Sequence, residues 1–176
     1  MKCNIGSVVS PLAANGGTAG TRTMALLSGS PAINAGGAVL GGLVNTGSTA
    51  LAGGSVDSLT NSATLTGNGT VGTLANAGTA TIGGRVDSLT NTGTLTSAGA
   101  LSVGTLENDE LVRVATGSTL SMDSGSALIN RDRLVVQGTL EGQVSNRAST
   151  VMSGGTLRGS VANTSTGIFS GTAAVT

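Results

Sequence analysis

Acidic side chains are the first groups in this sequence that could do chemistry, because paired carboxylates can act as general acid and base on a polysaccharide. Asp57 and Asp87 hold the same place in two nearly identical stretches, SVDSLTN (55–61) and RVDSLTN (85–91). If these are coils of one stack with a single coil between them, their backbones lie roughly 10 Å apart, at or beyond the roughly 6.5–9.5 Å of an inverting glycosidase pair. Gly72 holds the same place in the intervening stretch. We therefore expect both aspartates to serve a turn.

A second acidic group, formed by Glu107, Asp109 and Glu110, is the densest negative charge in the chain. Carboxylates and backbone carbonyls can together ligate a calcium ion. The segment lacks, however, the repeated aspartate-containing nonapeptide of calcium-binding β-rolls. We expect a solvated loop here, with no bound metal.

Positive charge is concentrated late in the chain. Stacked arginines could form a basic stripe for an acidic glycan or a nucleic acid. Acidic residues are interspersed among them, however, and the chain has one Phe, no Tyr and no Trp on which bases could stack. A solvated face is the expectation, and nucleic acid is not an expected partner. The arginines concerned are Arg113, Arg131, Arg133, Arg147 and Arg158.

Other routes to catalysis have few residues to use. With no histidine and a single cysteine, Cys3, the chain lacks the commonest general base, the usual zinc ligands and a Cys–His nucleophile pair. There is no Walker-type phosphate loop. A lone cysteine cannot form an intramolecular disulfide, so it says nothing about the compartment. The sequence predicts a protein that is not an enzyme and needs no cofactor.

The elements that must position these side chains are indicated by a recurring asparagine. It follows a Leu or Val by two residues each time, and successive copies are 16, 15, 15, 17, 22, 16 and 17 residues apart. A near-fixed short period indicates a solenoid, whose repeats bury their apolar faces by stacking. Identical amides stacked at a turn can hydrogen-bond along the stack. We therefore predict an internal ladder formed by Asn45, Asn61, Asn76, Asn91, Asn108, Asn130, Asn146 and Asn163.

Alignment on the asparagine shows three aliphatic rows, which predict a narrow, filled core. They lie five and two residues before it and four residues after it, as in Val56, Leu59 and Leu65. The residue four places before the asparagine is mostly Gly or Asp, which predicts a corner in left-handed backbone. These corner residues are Gly41, Asp57, Gly72, Asp87, Gly104, Gly142 and Gly159.

Composition selects the fold class. Thirty glycines and many Thr, Ser, Asn and Val residues disfavour helices, and no stretch keeps a 3.6-residue apolar period. Zero net charge with 38% apolar residues argues against disorder. We predict an all-β fold, a single-stranded parallel β-helix with about 15–17 residues per coil, right-handed as in families with similar repeats. About eight coils occupy residues 37–176, with an irregular coil or loop near 109–127.

Threonine recurs three and five residues after the asparagine in three successive coils. Such Thr-x-Thr ranks resemble the ice-binding faces of antifreeze β-helices. The ranks stop at Leu111 and Arg113, and threonine also has a high strand propensity. An ordinary outward strand surface is the main expectation and ice binding an alternative. The threonines are Thr64, Thr66, Thr79, Thr81, Thr94 and Thr96.

Two regions resemble known bacterial families. Coils such as LVNTGSTALAGG, SLTNTGTLTSAGALSVG and QVSNRASTVMSGGTLRG resemble the passenger domains of filamentous-haemagglutinin-type adhesins and autotransporters, over residues 40–176. The stretch SPLAANGGTAGTRTMALLSGSPAINAG (10–36) is similar to a segment that closes β-helical domains of bacterial surface proteins. Thr18, Ser28 and Asn34 stand where that segment carries Pro, Pro and Asp. The resemblance implies that residues 1–36 end a preceding β-helical region and that the chain is part of a longer protein.

The resemblance also implies a structural or adhesive role at the bacterial cell surface or in a secreted protein, with a host-cell surface or a glycan as partner. The chain begins without a secretory apolar region and has no run of 18 apolar residues, so we expect its export signal elsewhere and no membrane span within it. Unpaired coil faces at the ends predict that the isolated chain self-associates end to end. A polysaccharide-active β-helix enzyme remains the other alternative.

Overall fold

Twelve strands wind into one solenoid in the computed structural model, which describes residues 39–164 and 166–175. Eight of these strands end at an asparagine of the ladder. The predicted N-terminal segment, residues 1–36 with Cys3, lies outside the described residues. The strands are β1 (Val39–Asn45), β2 (Ser48–Asn61), β3 (Thr64–Asn76), β4 (Thr79–Asn91), β5 (Thr94–Asn108), β6 (Leu111–Val114), β7 (Thr119–Met122), β8 (Ala127–Asn130), β9 (Arg133–Val136), β10 (Thr139–Asn146), β11 (Ser149–Asn163) and β12 (Ile168–Val175).

All strand pairings in the described part are parallel, and strand residues pair mostly with their equivalents one coil away, with register shifts between β2 and β3, β4 and β5, and β11 and β12. Leu59 pairs with Leu74, and Leu74 with Leu89. Parallel neighbours cannot be joined by hairpins, so the chain must travel once around the stack between them. The result is an all-β, parallel solenoid of about eight turns, which confirms the predicted fold.

The three predicted aliphatic rows form the core. In the described coils the row five residues before the asparagine is buried at Val56, Val71, Val86 and Val103. The row four residues after it is buried at Leu65, Ala80, Leu95, Val112 and Leu134. Each row is continuous because the parallel register stacks equivalent residues of successive coils on each other.

Two further core rows escaped the alignment. One lies six residues after the asparagine and is mixed in type, with Leu51, Ile82 and Val114 beside a glycine and a serine. The other consists of register partners that stand 7, 10, 6 and 6 residues before the next asparagine, so a fixed offset does not find them. Its members are Leu101, Leu120, Leu140 and Leu157, all buried.

The corner four residues before the asparagine is present, as shown by exposed Asp57 between buried Val56 and Leu59. Its left-handed backbone occurs at Gly142 and Gly159, with φ of +119° and +146°. The prediction is wrong for Gly41, Gly72 and Gly104, none of which has a positive φ.

Close approach explains the glycine at two of these corners. A Cβ on Gly72 would lie 2.5 Å from the carbonyl oxygen of Asp57, and a Cβ on Gly104 would lie 2.2 Å from that of Asp87. Left-handed glycines instead occupy a second corner, including Gly84 with φ of +81°. The glycines of this corner mostly stand eight residues after a ladder asparagine, as Gly84 follows Asn76 and Gly99 follows Asn91.

The longest interval, from Asn108 to Asn130, contains β6, β7 and β8. Two tight turns separate them, in which Ser118 N donates to Ala115 O and Ser126 N to Asp123 O, both at 3.0 Å. All three strands pair with β5, one coil earlier. The extra residues therefore lie at corners, and the core continues through this coil.

Candidate functional site

Seven hydrogen bonds connect the eight asparagines along the solenoid. The Nδ2 of each asparagine donates to Oδ1 of the next, at 2.7 Å from Asn45 to Asn61 and 2.9 Å from Asn146 to Asn163. The five intermediate bonds are 2.7–2.8 Å long. The first seven asparagines are at most 1% exposed, whereas Asn163 is exposed. The predicted ladder is therefore present, and its amides all point in one direction.

Backbone carbonyls complete the environment of each amide. Asn76 Nδ2 also approaches the carbonyl oxygens of Gly78 at 3.2 Å and of Thr94, in the next coil, at 3.0 Å. A buried amide is tolerated only when its polar atoms are bonded. Because each rung joins two coils, the ladder also sets their register, since a one-residue slip would place a different side chain there.

Two threonines occupy the aliphatic core position four residues after the asparagine, and they differ in whether the hydroxyl has a hydrogen-bond partner. Thr49 and Thr150 are both buried there. Thr49 Oγ1 donates to Asn45 Oδ1 at 2.9 Å. Asn146 Oδ1 already accepts from Asn130, and Thr150 Oγ1 has no partner in the described part of the chain. A threonine at an otherwise aliphatic position was the sequence signal for this contact at the first rung.

The two turn aspartates lie exposed at the same corner, two coils apart, and do not meet. Arg85 Nε donates to Asp87 at 2.8 Å, and its Nη1 and Nη2 donate to the Asp123 carboxylate at 3.1 and 2.8 Å. Nη1 also lies 3.3 Å from Ser102 Oγ in the coil between. The bond to Asp123 is the main cause that raises the pKa of Arg85, and the bond from Arg85 is the main cause that lowers the pKa of Asp123. No sequence signal indicated this contact, because Arg85 and Asp123 are 38 residues apart.

The acidic cluster is neutralised in part by an arginine. Arg131 Nη1 lies 2.8 Å from the Glu107 carboxylate and 3.1 Å from that of Asp109. Hydrogen bonding to Glu107, and then to Asp109, raises the pKa of Arg131. Among residues 39–164 and 166–175, no group of three or more His, Cys, Asp or Glu residues is placed to hold a metal ion.

The five late arginines do not form one stripe. Arg131 and Arg158 are in ion pairs, the latter with Glu141 at 3.0 Å. Arg113 and Arg133 lie on the neighbouring strands β6 and β9, and Arg147 lies at the corner that follows a ladder asparagine. The positive charge is thus divided among three places: the strand face with Arg113 and Arg133, the corner with Arg131 and Arg147, and the ion pair of Arg158 with Glu141.

The threonine ranks are in register. Residues three and five places after the asparagine pair across β3, β4 and β5 as predicted, and continue into Leu111 and Arg113. The array is exposed at its first three members and half-buried at the rest. In order they are Thr64, Thr66, Thr79, Thr81, Thr94 and Thr96.

No protein-family model, curated protein or solved structure matches this chain. The fold and its internal contacts define the class directly: the chain is a parallel β-solenoid with an asparagine ladder. Within the described ranges no helix is long and apolar enough to cross a membrane.

Proposed function

We propose that this chain is a rigid structural segment of a bacterial surface or secreted protein, a stalk of the adhesin or autotransporter-passenger type without enzymatic activity. The observation that carries the proposal is the ladder, which continues from Asn45 to Asn163 without a missing rung. Seven steps at about 4.8 Å per coil give a length of roughly 35 Å between its ends.

The direction of the hydrogen bonds supports a load-bearing role. Backbone bonds join one coil to the next, as from Ser62 N to Asn45 O at 2.9 Å and from Thr92 N to Asn76 O at 2.8 Å. They therefore run along the long axis, and bending or extending the rod breaks many of them at once. A solenoid of this kind holds whatever it carries at a fixed distance from its anchor.

The outer faces are the surfaces that such a stalk would present to a host-cell surface or a glycan. They are built mainly from small side chains, as in the corner and strand sequence SVDSLTN. The geometry does not favour Asp57 and Asp87 as the catalytic carboxylate pair of a polysaccharide-active enzyme. The two residues are two coils apart, and Asp87 is hydrogen-bonded to Arg85.

Protease shaving of intact source cells tests the proposal. Trypsin cleavage after Arg85 and Arg113 would release the peptide 86–113, which mass spectrometry identifies. We expect this peptide in the supernatant of intact cells. Its recovery only after lysis would contradict the surface role.

A second candidate, ice binding, is favoured by the in-register threonine ranks on β3, β4 and β5. Residues 41–84 also contain a single charged residue, Asp57, so this end of the solenoid is nearly uncharged. Thermal hysteresis of the purified chain tests the idea. If the face binds ice, the wild type should show thermal hysteresis. The Thr79→Arg variant, changed within the threonine ranks, should lose it. The Ser149→Arg variant, changed at the same position of a coil outside the ranks, should keep it. A wild type without hysteresis excludes ice binding.

A further inference from the structure

Three exposed arginines have no carboxylate partner among the residues that the structure describes: Arg113, Arg133 and Arg147. In the same half of the solenoid, Arg131 and Arg158 are each bound to acidic side chains. An unpaired guanidinium keeps its planar set of donors available for a carboxylate or sulfate. The positive charge is therefore neutralised by ion pairs at Arg131 and Arg158 and, within the described part of the chain, is not neutralised at the other three arginines.

Two of the open positions share one flat face. Register pairs Leu111 with Arg133, and Arg113 with Val135. Their sequence neighbours Val112 and Leu134 are buried in the core, so the alternating positions 111, 113, 133 and 135 point outward. Arg113 and Arg133 thus lie on a diagonal of neighbouring strands, with Cα atoms roughly 8 Å apart.

The face is partly organised before any ligand binds. Arg113 Nη1 donates to Gln137 Oε1 at 3.3 Å, a neutral partner that orients the guanidinium without cancelling its charge. Val135 points outward yet is only 7% exposed, so side chains around it cover it. Its register partners are Arg113 and Val151. A side chain that is already ordered loses less entropy on binding.

Negative charge lies beside this face. Glu110 and Asp132 are exposed at the corner, two residues after a ladder asparagine, and precede the strands β6 and β9. Arg147 lies at the same corner in the next coil, so this corner carries both signs of charge. Arg113, Arg133 and Arg147 stand five, three and one residues after a ladder asparagine in three successive coils, so they follow one diagonal line that a linear anion can span.

We propose that the outer face of β6 and β9 binds an anionic linear polysaccharide. Arg113 and Arg133 contact its carboxylate or sulfate groups, and Arg147 adds a further contact at the adjoining corner. This inference rests on the proposed adhesive role and names the chemistry of its partner. A glycan is favoured over nucleic acid because the chain has a single aromatic residue, Phe169, and so offers no series of rings on which bases could stack.

Binding of the purified full chain to heparin and to polygalacturonate, measured by calorimetry at low and moderate salt, tests the inference. Arg113→Gln and Arg133→Gln should each weaken binding about fivefold, and the double variant about 20-fold. Arg158→Gln removes the same charge from a compensated pair and should change affinity less than about twofold. Glu110→Gln with Asp132→Asn should tighten binding by about threefold, because it removes nearby repulsion. Circular dichroism and melting curves verify that each variant is folded.

Several outcomes would overturn the inference. They are a wild type that binds neither glycan, an Arg158→Gln variant that loses as much as Arg133→Gln, and a DNA duplex bound as tightly with the same dependence on the two arginines. The last two would mean that net charge alone attracts polyanions. None of these results bears on surface exposure, which cell shaving measures separately, so failure of this inference and failure of the stalk role are distinguishable.

Discussion

At the scale of single residues, the buried polar groups of this core differ in whether they have partners. The ladder amides bond to each other and to backbone carbonyls. Two buried hydroxyls, Ser97 Oγ and Thr150 Oγ1, have no partner in the described part of the chain. A buried polar atom without a partner costs free energy that an apolar group of the same shape would not. Individual substitutions should therefore change stability in opposite directions.

Thr150→Val should raise the free energy of unfolding by about 1 kcal/mol, because it removes an unbonded hydroxyl and keeps the side-chain shape. The same change at Thr49 should lower it by about 1 kcal/mol, since Asn45 Oδ1 loses a donor. Urea unfolding of both variants measures the two effects. Destabilisation by both substitutions would contradict this account.

Asn91→Ala should cost about 3 kcal/mol or more, because it leaves Asn76 Nδ2 and Asn108 Oδ1 without their ladder partners inside the core. Asn163→Ala is the matched control, since this last rung is exposed, and it should cost less than about 1 kcal/mol. Equal losses in denaturant unfolding would show that the ladder contributes no more in the core than at its end.

At the scale of elements, the corners between strands restrict which residues can occupy them. Some corner glycines are required by backbone conformation, others by the approach of the neighbouring coil, and some by both. Gly84 has φ of +81°, and a Cβ there would lie 2.3 Å from the carbonyl oxygen of Gly69. Gly99 has φ of +67° with open space around it. These two positions separate conformational strain from steric exclusion.

Gly84→Ala should destabilise the protein by about 3 kcal/mol or more, because strain and a backbone clash act together. Gly99→Ala should cost about 1 kcal/mol, because only strain applies. Thermal melting of both variants compares them. A similar cost for the two would mean that neighbouring coils move apart easily.

The contact between Arg85 and Asp123 should make stability depend on pH. Arg85 holds the pKa of Asp123 below its ordinary value of 3.8, so the folded state favours the ionised carboxylate. The contribution is complete above that value and is lost as the pH falls through the lowered pKa. Denaturation midpoints from about pH 6 to about pH 2 should fall more steeply for the wild type than for Asp123→Asn. Identical slopes would exclude the contact as a cause.

At the scale of the whole molecule, each coil depends on its neighbours alone, so stability should vary along the rod. Strands β4 and β5 have a coil on both sides, whereas in the described part β1 pairs with β2 and β12 with β11. Solenoids of this kind open from their ends. Hydrogen exchange should therefore protect amides of β4 and β5 at least about tenfold more than those of β1 and β12. Uniform protection would indicate all-or-none unfolding.

Much of the architecture follows from the sequence because the repeat is short and its partners are identical. An asparagine must face an asparagine one coil away, so a constant offset predicts the ladder, the parallel register and three core rows. The row of Leu101, Leu120 and Leu140 was not predictable in this way, since corners of variable length separate it from the asparagine.

The sequence by itself determined which side chains repeat, and therefore the solenoid and its ladder. The tertiary structure alone decided which non-equivalent residues from different coils become neighbours. Arg85 reaches Asp123 across an intervening coil, because the number of residues in each corner sets how far apart in sequence two stacked positions lie. The period predicts contacts between equivalents, whereas contacts between unlike residues depend on these corner lengths.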